Sequence, residues 1–499
     1  MGGGSHGDRF TDDRHLYAND LDIFGRGSLF ELLSLARTRA GEETLAEWLT
    51  HPAAPPEVAA RRDAVTEITP AVDLREALSL AGSDVAAGVD SGGLVSWAES
   101  HPMLSGAWRR AAATLLTGAA IGATVYWLST DEYGYLIAVL FAEALFSIPQ
   151  RFSVQRALHG ADAPARDLDV LAHILGRLER ENFSTPRLTE LRRRLDTEGV
   201  PASVAIRRLH RLNELHDWQH NLFFAPVAAA LLWGTHLALA IEGWRRGHGS
   251  HVRTWLRTVG EFEALSSLSA YRYEHPDDVW AEMIEGAATF DGSEVGHPLL
   301  PAARTVRNDV RLEGGTRLLV ISGSNMSGKS TLLRTVGINA VLALAGAPVR
   351  AARLRITPLT IGATLRIQDS LQEGRSRFYA EITRIRELTD RARGPVPLLF
   401  LLDELFHGTN SHDRLIGATG VLQSLLDRGA IGLITTHDLA LTAIADSLSP
   451  RAANMHFDDR FEGGEIVFDF RMKPGPVTRS NALALMRSVG LDIGSDGTT

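Results

Sequence analysis

The chain has 499 residues, 44% of them hydrophobic and 22% charged, with a formal net charge of −9. That length gives room for two or three domains with a substantial core. It contains no cysteine, which excludes a disulfide framework, a disulfide-linked partner and any thiolate-held metal. The acidic balance argues against a globally basic nucleic-acid surface and leaves only local patches open.

In chain order, residues 1–20 are glycine-rich and polar at their start, show no signal-peptide pattern, and are expected to form a disordered tail. Residues 21–108 and 152–289 read as one helical domain, with long amphipathic patterns at 163–181 and 187–211. Inside it, residues 111–128 (AAATLLTGAAIGATVYWL) carry no charge and are about as long as a membrane span. After a Ser-Thr-Asp-Glu turn, residues 133–148 (YGYLIAVLFAEALFSI) repeat the pattern, interrupted only by Glu143. Arg109, Arg110 and Arg151 flank this 109–151 hairpin, and Asp131 and Glu132 sit in its turn. The positive-inside rule then places both ends in the cytoplasm. A buried hairpin in a soluble core fits the same residues, and Glu143 favours it, since a carboxylate in lipid costs a few kcal/mol.

A third apolar stretch, residues 222–241, also has spanning length but contains Pro226 and His236. An odd number of crossings would strand the two ends of the chain on opposite sides, so an interfacial or core helix is expected here. Arg192, Arg193 and Arg194, with Arg207, Arg208 and Arg211, form either a phosphate-binding stripe or a solvated face beside Glu190 and Asp196.

The C-terminal part, residues 290–491, carries the chemistry. Residues 323–330 (GSNMSGKS) follow a short apolar strand and precede an apolar helix. Gly323, Ser324, Asn325, Met326, Ser327 and Gly328 can close their N–H groups around a phosphate, with Thr331 extending the loop into the helix. Lys329 is expected to reach the β- and γ-phosphates, and Ser330 to ligate Mg²⁺. The run 396–402 (VPLLFLL) ends in Asp403 and Glu404, as a buried parallel strand ends at a ligand site. Asp403 would hold Mg²⁺ and Glu404 would polarise the attacking water. A third apolar run, 430–435, ends in Thr436, His437 and Asp438, where His437 can sense the γ-phosphate. These motifs predict an α/β domain that binds ATP with Mg²⁺ and hydrolyses it. Residues 492–499 are expected to be a disordered tail.

The loop GSNMSGKST resembles the phosphate loop of the MutS family. So do the segment from Asp369 through Ser376 and Phe378 to Glu381, the stretch from Asp403 and Glu404 through Gly408, Thr409 and Ser411 to Asp413, the Thr436-His437 pair, and Asn454 with His456. Gly296-His297-Pro298 and Asn308-Asp309 resemble that family's entry into this domain. Residues 22–30 (DIFGRGSLF), with Trp48, Pro52 and 261–271 (EFEALSSLSAY), are similar to its lever domain.

The resemblance implies an α plus α/β chain, with a helical lever and core followed by an ABC-type P-loop ATPase domain whose sheet is mainly parallel. It implies a homodimer in which Ser376 acts in trans on nucleotide held by Lys329 of the partner subunit, and in which His456 packs on adenine. Arg377, Thr305 and His407 depart from the pattern, and the family's mismatch-reading and connector domains find no room before Asp22. Two functions are expected of such a chain. One is ATP-driven dimer closure on mismatched or otherwise distorted DNA. The other is a conformational ATPase tethered to the cytoplasmic membrane, its ATPase domain in the cytoplasm, acting on a protein or the membrane without DNA. A purely cytoplasmic location is the alternative.

Overall fold

The amphipathic patterns of the first half fold as helices and the apolar runs of the second half as strands, so the chain is α plus α/β. The computed structural model describes residues 5–83, 91–104, 106–197, 199–218, 221, 223–324, 326–366, 377–406, 410–462 and 465–477. It divides into a helical unit (Leu35–Thr44 and Ala71–Ser266) and a nucleotide unit (Met1–Ser34, Leu45–Pro70 and Ser267–Thr499).

The helical unit holds α1 (Ala107–Thr130), α2 (Gly134–Ser147), α3 (Arg151–Arg180), α4 (Ala202–Asp217), α5 (Ala225–Ala230) and α6 (Trp233–Glu274), the last counted here up to Ser266. Helices α3 and α4 pack together and bury Leu171, Leu175 and Leu178 of one with Ala205, Ile206 and Leu209 of the other. These sit three and four residues apart, one apolar stripe per helix. Within α6, Glu242 is fully buried and pairs with Arg245 at 2.7 Å. Such a charge is tolerated in a core only with a partner.

Helices α1 and α2 behave differently. Of α1 only Ala113, Ala120 and Ala123 are buried, and of α2 only Glu143. The most apolar window of α1 is 17% buried, whereas Leu115 is 74% and Phe141 71% exposed. A hairpin in a soluble core would show the opposite. The stretch 222–241 is not one continuous helix. Its first residue lies outside the described ones, α5 has Pro226 in its first turn, where proline is tolerated, and Leu232 takes a left-handed φ of 47° before α6 begins.

In the nucleotide unit, β1 (Leu318–Ser322), β2 (Thr360–Thr364), β3 (Leu398–Asp403), β4 (Ile431–Thr436), β5 (Ala452–Glu462) and β6 (Glu465–Pro474) form a sheet of order β6-β5-β1-β4-β3-β2. All neighbours are parallel except β5 and β6. Every residue of β1 and β4 is buried, as expected of parallel strands covered on both faces. Helices α7 (Lys329–Ala345), α8 (Arg377–Arg391) and α9 (Ser411–Asp427) complete the layers. A second sheet joins Glu282–Met283, Arg353–Ile356, Phe290–Val295 and Asn308–Leu312 in that order.

Residues 5–20, expected as a tail, instead pack into this unit together with 21–34 and 45–70, which had been read as part of the helical domain. Tyr17, Ala18, Leu21 and Ile23 are buried, and the Tyr17 hydroxyl donates to Leu49 O at 2.9 Å. Asp20 accepts the N–H groups of Leu365 and Arg366 at 2.7 Å each, and Arg334 Nε donates to Asp20 O at 3.1 Å. A few apolar side chains and one carboxylate suffice to dock a segment that is otherwise polar.

This docking is measurable. Asp20→Ala leaves two N–H groups without their acceptor and should cost about 1–3 kcal/mol. Asp20→Asn keeps an acceptor oxygen and should cost less, as read by chemical denaturation. Equal stability of Asp20→Ala and the native chain would mean that the carboxylate does not hold this segment.

Candidate nucleotide-binding site

Parallel pairing brings the three motifs to one edge. Thr436 stands beside Ser322, and Thr435 beside Asp403. From the end of β1 the chain turns through the glycine-rich loop into α7. Gly328 caps α7 at φ 101°, a left-handed conformation suited to glycine, and a Cβ there would lie 3.1 Å from the Phe470 ring. A Cβ on Gly323 would come within 2.9 Å of Ser327 Oγ.

Lys329 is buried and its Nζ donates to Gly323 O at 2.8 Å and Ser324 O at 2.7 Å. Burial lowers its pKa, and the charges of Glu404 and Asp403 oppose that shift. Ser330 Oγ donates to Asp403 Oδ2 at 2.6 Å, while Thr435 Oγ1 donates to Asp403 Oδ1. Glu404 has a left-handed φ of 52°, and its N–H donates to Thr435 O at 3.2 Å. Its Oε1 is 2.8 Å from His437 Nδ1. Met326 is 85% exposed at the rim, also at positive φ. Asn325 and Ser376 lie outside the described residues, as do His407, Gly408 and Thr409.

The residues fit a magnesium nucleotide. Ser330 and Asp403 present hard oxygen donors at the N-terminal end of α7, the chemistry that Mg²⁺ takes. The hydroxyls of Ser324 and Ser327 are buried and find no hydrogen-bond partner among the described residues, as donors awaiting an anion would. Beside them opens a cavity of about 510 Å³. Lys329, Ser330, Thr331 and Glu404 are among its polar lining residues, and Leu300, Val306, Phe457 and Phe470 among its apolar ones.

His456 is held by Gly475 O at 2.9 Å and stands 3.4 Å from Asp458. It is not among the residues lining this cavity; Phe457 and Phe470 are. Sequence reasoning missed both rings. Phe470 reaches the site only because β6 pairs back on β5, and Asn308 fixes it by donating to Phe470 O at 3.0 Å and accepting from Met472 N at 2.7 Å.

His297 also lines the cavity. Burial, then the charges of Arg334 and Arg350, push its pKa down to about 4. Its Nδ1 accepts the Leu299 N–H at 3.2 Å, which suits the neutral ring. Between the ordinary value of 6.5 and about 4 the unfolded chain binds a proton that the folded one refuses. Stability is therefore lost as pH drops from about 6.5 towards about 4. In denaturation series at pH 7 and pH 5, His297→Gln should show a shallower loss than the native chain; an unchanged slope would mean that His297 is protonated without cost.

Comparison with known proteins agrees with this geometry. The family described as MutS domain V matches residues 319–492. Endonuclease MutS2 of Thermus thermophilus is 35% identical over 196 residues, covering 39% of this chain and 25% of that protein. The DNA mismatch repair protein MutS of Oleidesulfovibrio alaskensis is 34% identical over 323 residues, covering 62% of this chain and 32% of the relative. That of Thermus aquaticus is 32% identical over 249 residues, with 48% and 28% covered. The matches thus span about a quarter to a third of each relative's length. With its strand-end motifs gathered around one cavity and this likeness across the same residues, the segment 319–492 is a domain of the MutS domain V family.

Proposed function

We propose that the chain is a Mg²⁺-dependent ATPase of the MutS type, converting ATP and water to ADP and phosphate. The observation that carries this is the joining of Ser330 to Asp403 and of Glu404 to His437 at one edge of the cavity. The loop amides and the N-terminal end of α7 hold the phosphates, and Lys329 exchanges its two carbonyl partners for phosphate oxygens. Ser330 and Asp403 would hold Mg²⁺, which when bound would neutralise charge on the phosphates. Glu404 accepts a proton from the attacking water, and His437 fixes the orientation of its carboxylate. Asn325 near the γ-phosphate, Ser376 acting in trans across a homodimer and His456 near the base complete the reading.

The relatives' names, mismatch repair proteins and an endonuclease, support DNA as the substrate on which dimer closure acts. The exposed hairpin favours a second reading, an ATPase held at the cytoplasmic membrane. Helix α1 has 24 residues, about 36 Å at 1.5 Å per residue, against a hydrocarbon core of about 30 Å. Exposed Trp108, with Arg109 over its ring, marks one end. Tyr126 and Tyr135, 5.3 Å apart, mark the other with exposed Tyr133. Aromatic rings at both ends suit the two interfaces of a bilayer. Glu143 does not contradict this, because it is the residue that α2 buries.

Lys329→Ala should abolish tight binding of a fluorescent ATP analogue. Glu404→Gln should keep that binding and slow hydrolysis roughly 10²- to 10⁴-fold; hydrolysis at the native rate would remove Glu404 from its role. Extraction of membranes with alkaline carbonate should leave the intact protein in the pellet, and quantitative release would sink the membrane reading. Hydrolysis stimulated by mismatched or branched duplex would favour the DNA reading, whereas a rate that ignores DNA and responds to liposomes would favour the membrane one.

A further inference from the structure

Between α4 and the middle of α6 the chain makes an apolar excursion that the nucleotide chemistry does not use. Residues 223–241 contain no Asp, Glu, Lys or Arg. The protein covers the second half of this run, where Leu232, Leu237, Leu239 and Ile241 are buried, but not its first: Phe223 is 90% exposed, Val227 48% and the preceding Trp218 61%. The run is also fastened to α1. Thr117 Oγ1 donates to Leu231 O at 3.1 Å and stands 3.0 Å from His236 Nε2. Higher on the same helix, Arg110 Nη2 donates to Leu239 O at 3.4 Å.

These contacts fix a depth. Arg110 belongs to the basic end of α1, and Thr117 lies seven residues further along the helix, about 10 Å at 1.5 Å per residue. The excursion therefore descends beside α1 to that level and turns at Leu232, where φ is 47°. Ten ångströms is about a third of a hydrocarbon core of about 30 Å, enough to enter it and too little to cross. Backbone inside lipid must be covered or internally bonded. Here the carbonyls of Leu231 and Leu239 are taken by α1, and Trp233 Nε1 donates to Leu215 O at 2.8 Å.

We propose that residues 223–239 form a re-entrant element that dips into the acyl region of the bilayer beside α1 and leaves on the side it entered, with Phe223 and Val227 facing lipid. This rests on the reading of α1 and α2 as a membrane hairpin. It removes the parity problem posed by a third apolar stretch, because the segment adds no crossing. The exposed flanking charges agree: α4 carries Arg207, Arg208 and Arg211, with Glu214 and Asp217, before the excursion, and Arg246 follows it.

A chain without cysteine makes the test direct. Single-cysteine variants Phe223→Cys and Val227→Cys are compared with Leu115→Cys and Phe141→Cys on the hairpin, and with Arg386→Cys on the nucleotide unit. The full-length protein is labelled with a bimane and reconstituted in phosphatidylcholine–phosphatidylglycerol vesicles, with ATP-analogue binding as the check on folding. All five substitutions fall at exposed side chains. At 223 and 227, as at 115 and 141, we expect quenching by lipids carrying a nitroxide high on the acyl chain and loss of quenching by iodide; position 386 should show the reverse. If 115 and 141 report lipid while 223 and 227 report water, the re-entrant element is wrong and the hairpin stands. If 223 and 227 escape both quenchers, a protein surface covers them and the proposal fails. If all four report water, the hairpin reading falls and takes this proposal with it.

Discussion

The candidate site depends on one carboxylate. Asp403 is the last residue of β3, and its two oxygens accept from Ser330 at the start of α7 and from Thr435 near the end of β4. Three segments separated by many residues meet on that side chain. They can meet only if the strands are in register, and one contact pins the register of β4 on β3. Gly432 lies opposite Phe400, and a Cβ there would fall 2.3 Å from the Phe400 carbonyl oxygen. Any larger residue would push β4 away and pull Thr435 off Asp403. A packing constraint in the sheet is thus also a constraint on the proposed metal site at its edge.

The residues proposed to contact phosphate and metal were legible in the sequence, because each group sits within a few residues at a strand end. The strands themselves were legible because parallel strands buried on both faces read as unbroken apolar runs. What the sequence could not display depends on pairing across distance. Asp20 meets Leu365 and Arg366 across more than three hundred residues. Phe470 enters the cavity only because an antiparallel hairpin folds back at the edge of a parallel sheet. The helical unit takes residues 35–44 through Glu263, which accepts the Thr38 hydroxyl and the N–H groups of Arg37 and Thr38. No local pattern announces that contact.

For the hairpin, composition and exposure answer different questions. Composition made α1 and α2 apolar, and both a protein core and a lipid core select for that. Exposure adds what composition lacks: Leu115 and Phe141 are exposed on this chain while Glu143 is buried, an arrangement that supports the proposed membrane reading. Small residues on the inner face of α1, Ala113, Ala120 and Ala123, permit the close approach of helices that association in lipid favours. The same inside-out logic applies to Phe223 and Val227 beside α1.

Of the eight non-glycine residues at positive φ among the described ones, Met326, Glu404 and Phe470 line the cavity, and Phe406 follows close behind Glu404. Each such residue costs on the order of 1–3 kcal/mol. For Glu404 the conformation ends β3 abruptly and turns the carboxylate toward His437 instead of continuing the strand. That turn survives because the Glu404 N–H is anchored on Thr435 and the Phe406 N–H on Glu381, whose own carboxylate is buried. The sheet and α8 together over-determine the path of the chain between them. A relaxed extended residue at 404 would direct its side chain elsewhere, so the stability of the buried strands is what keeps the proposed general base aimed at the cavity.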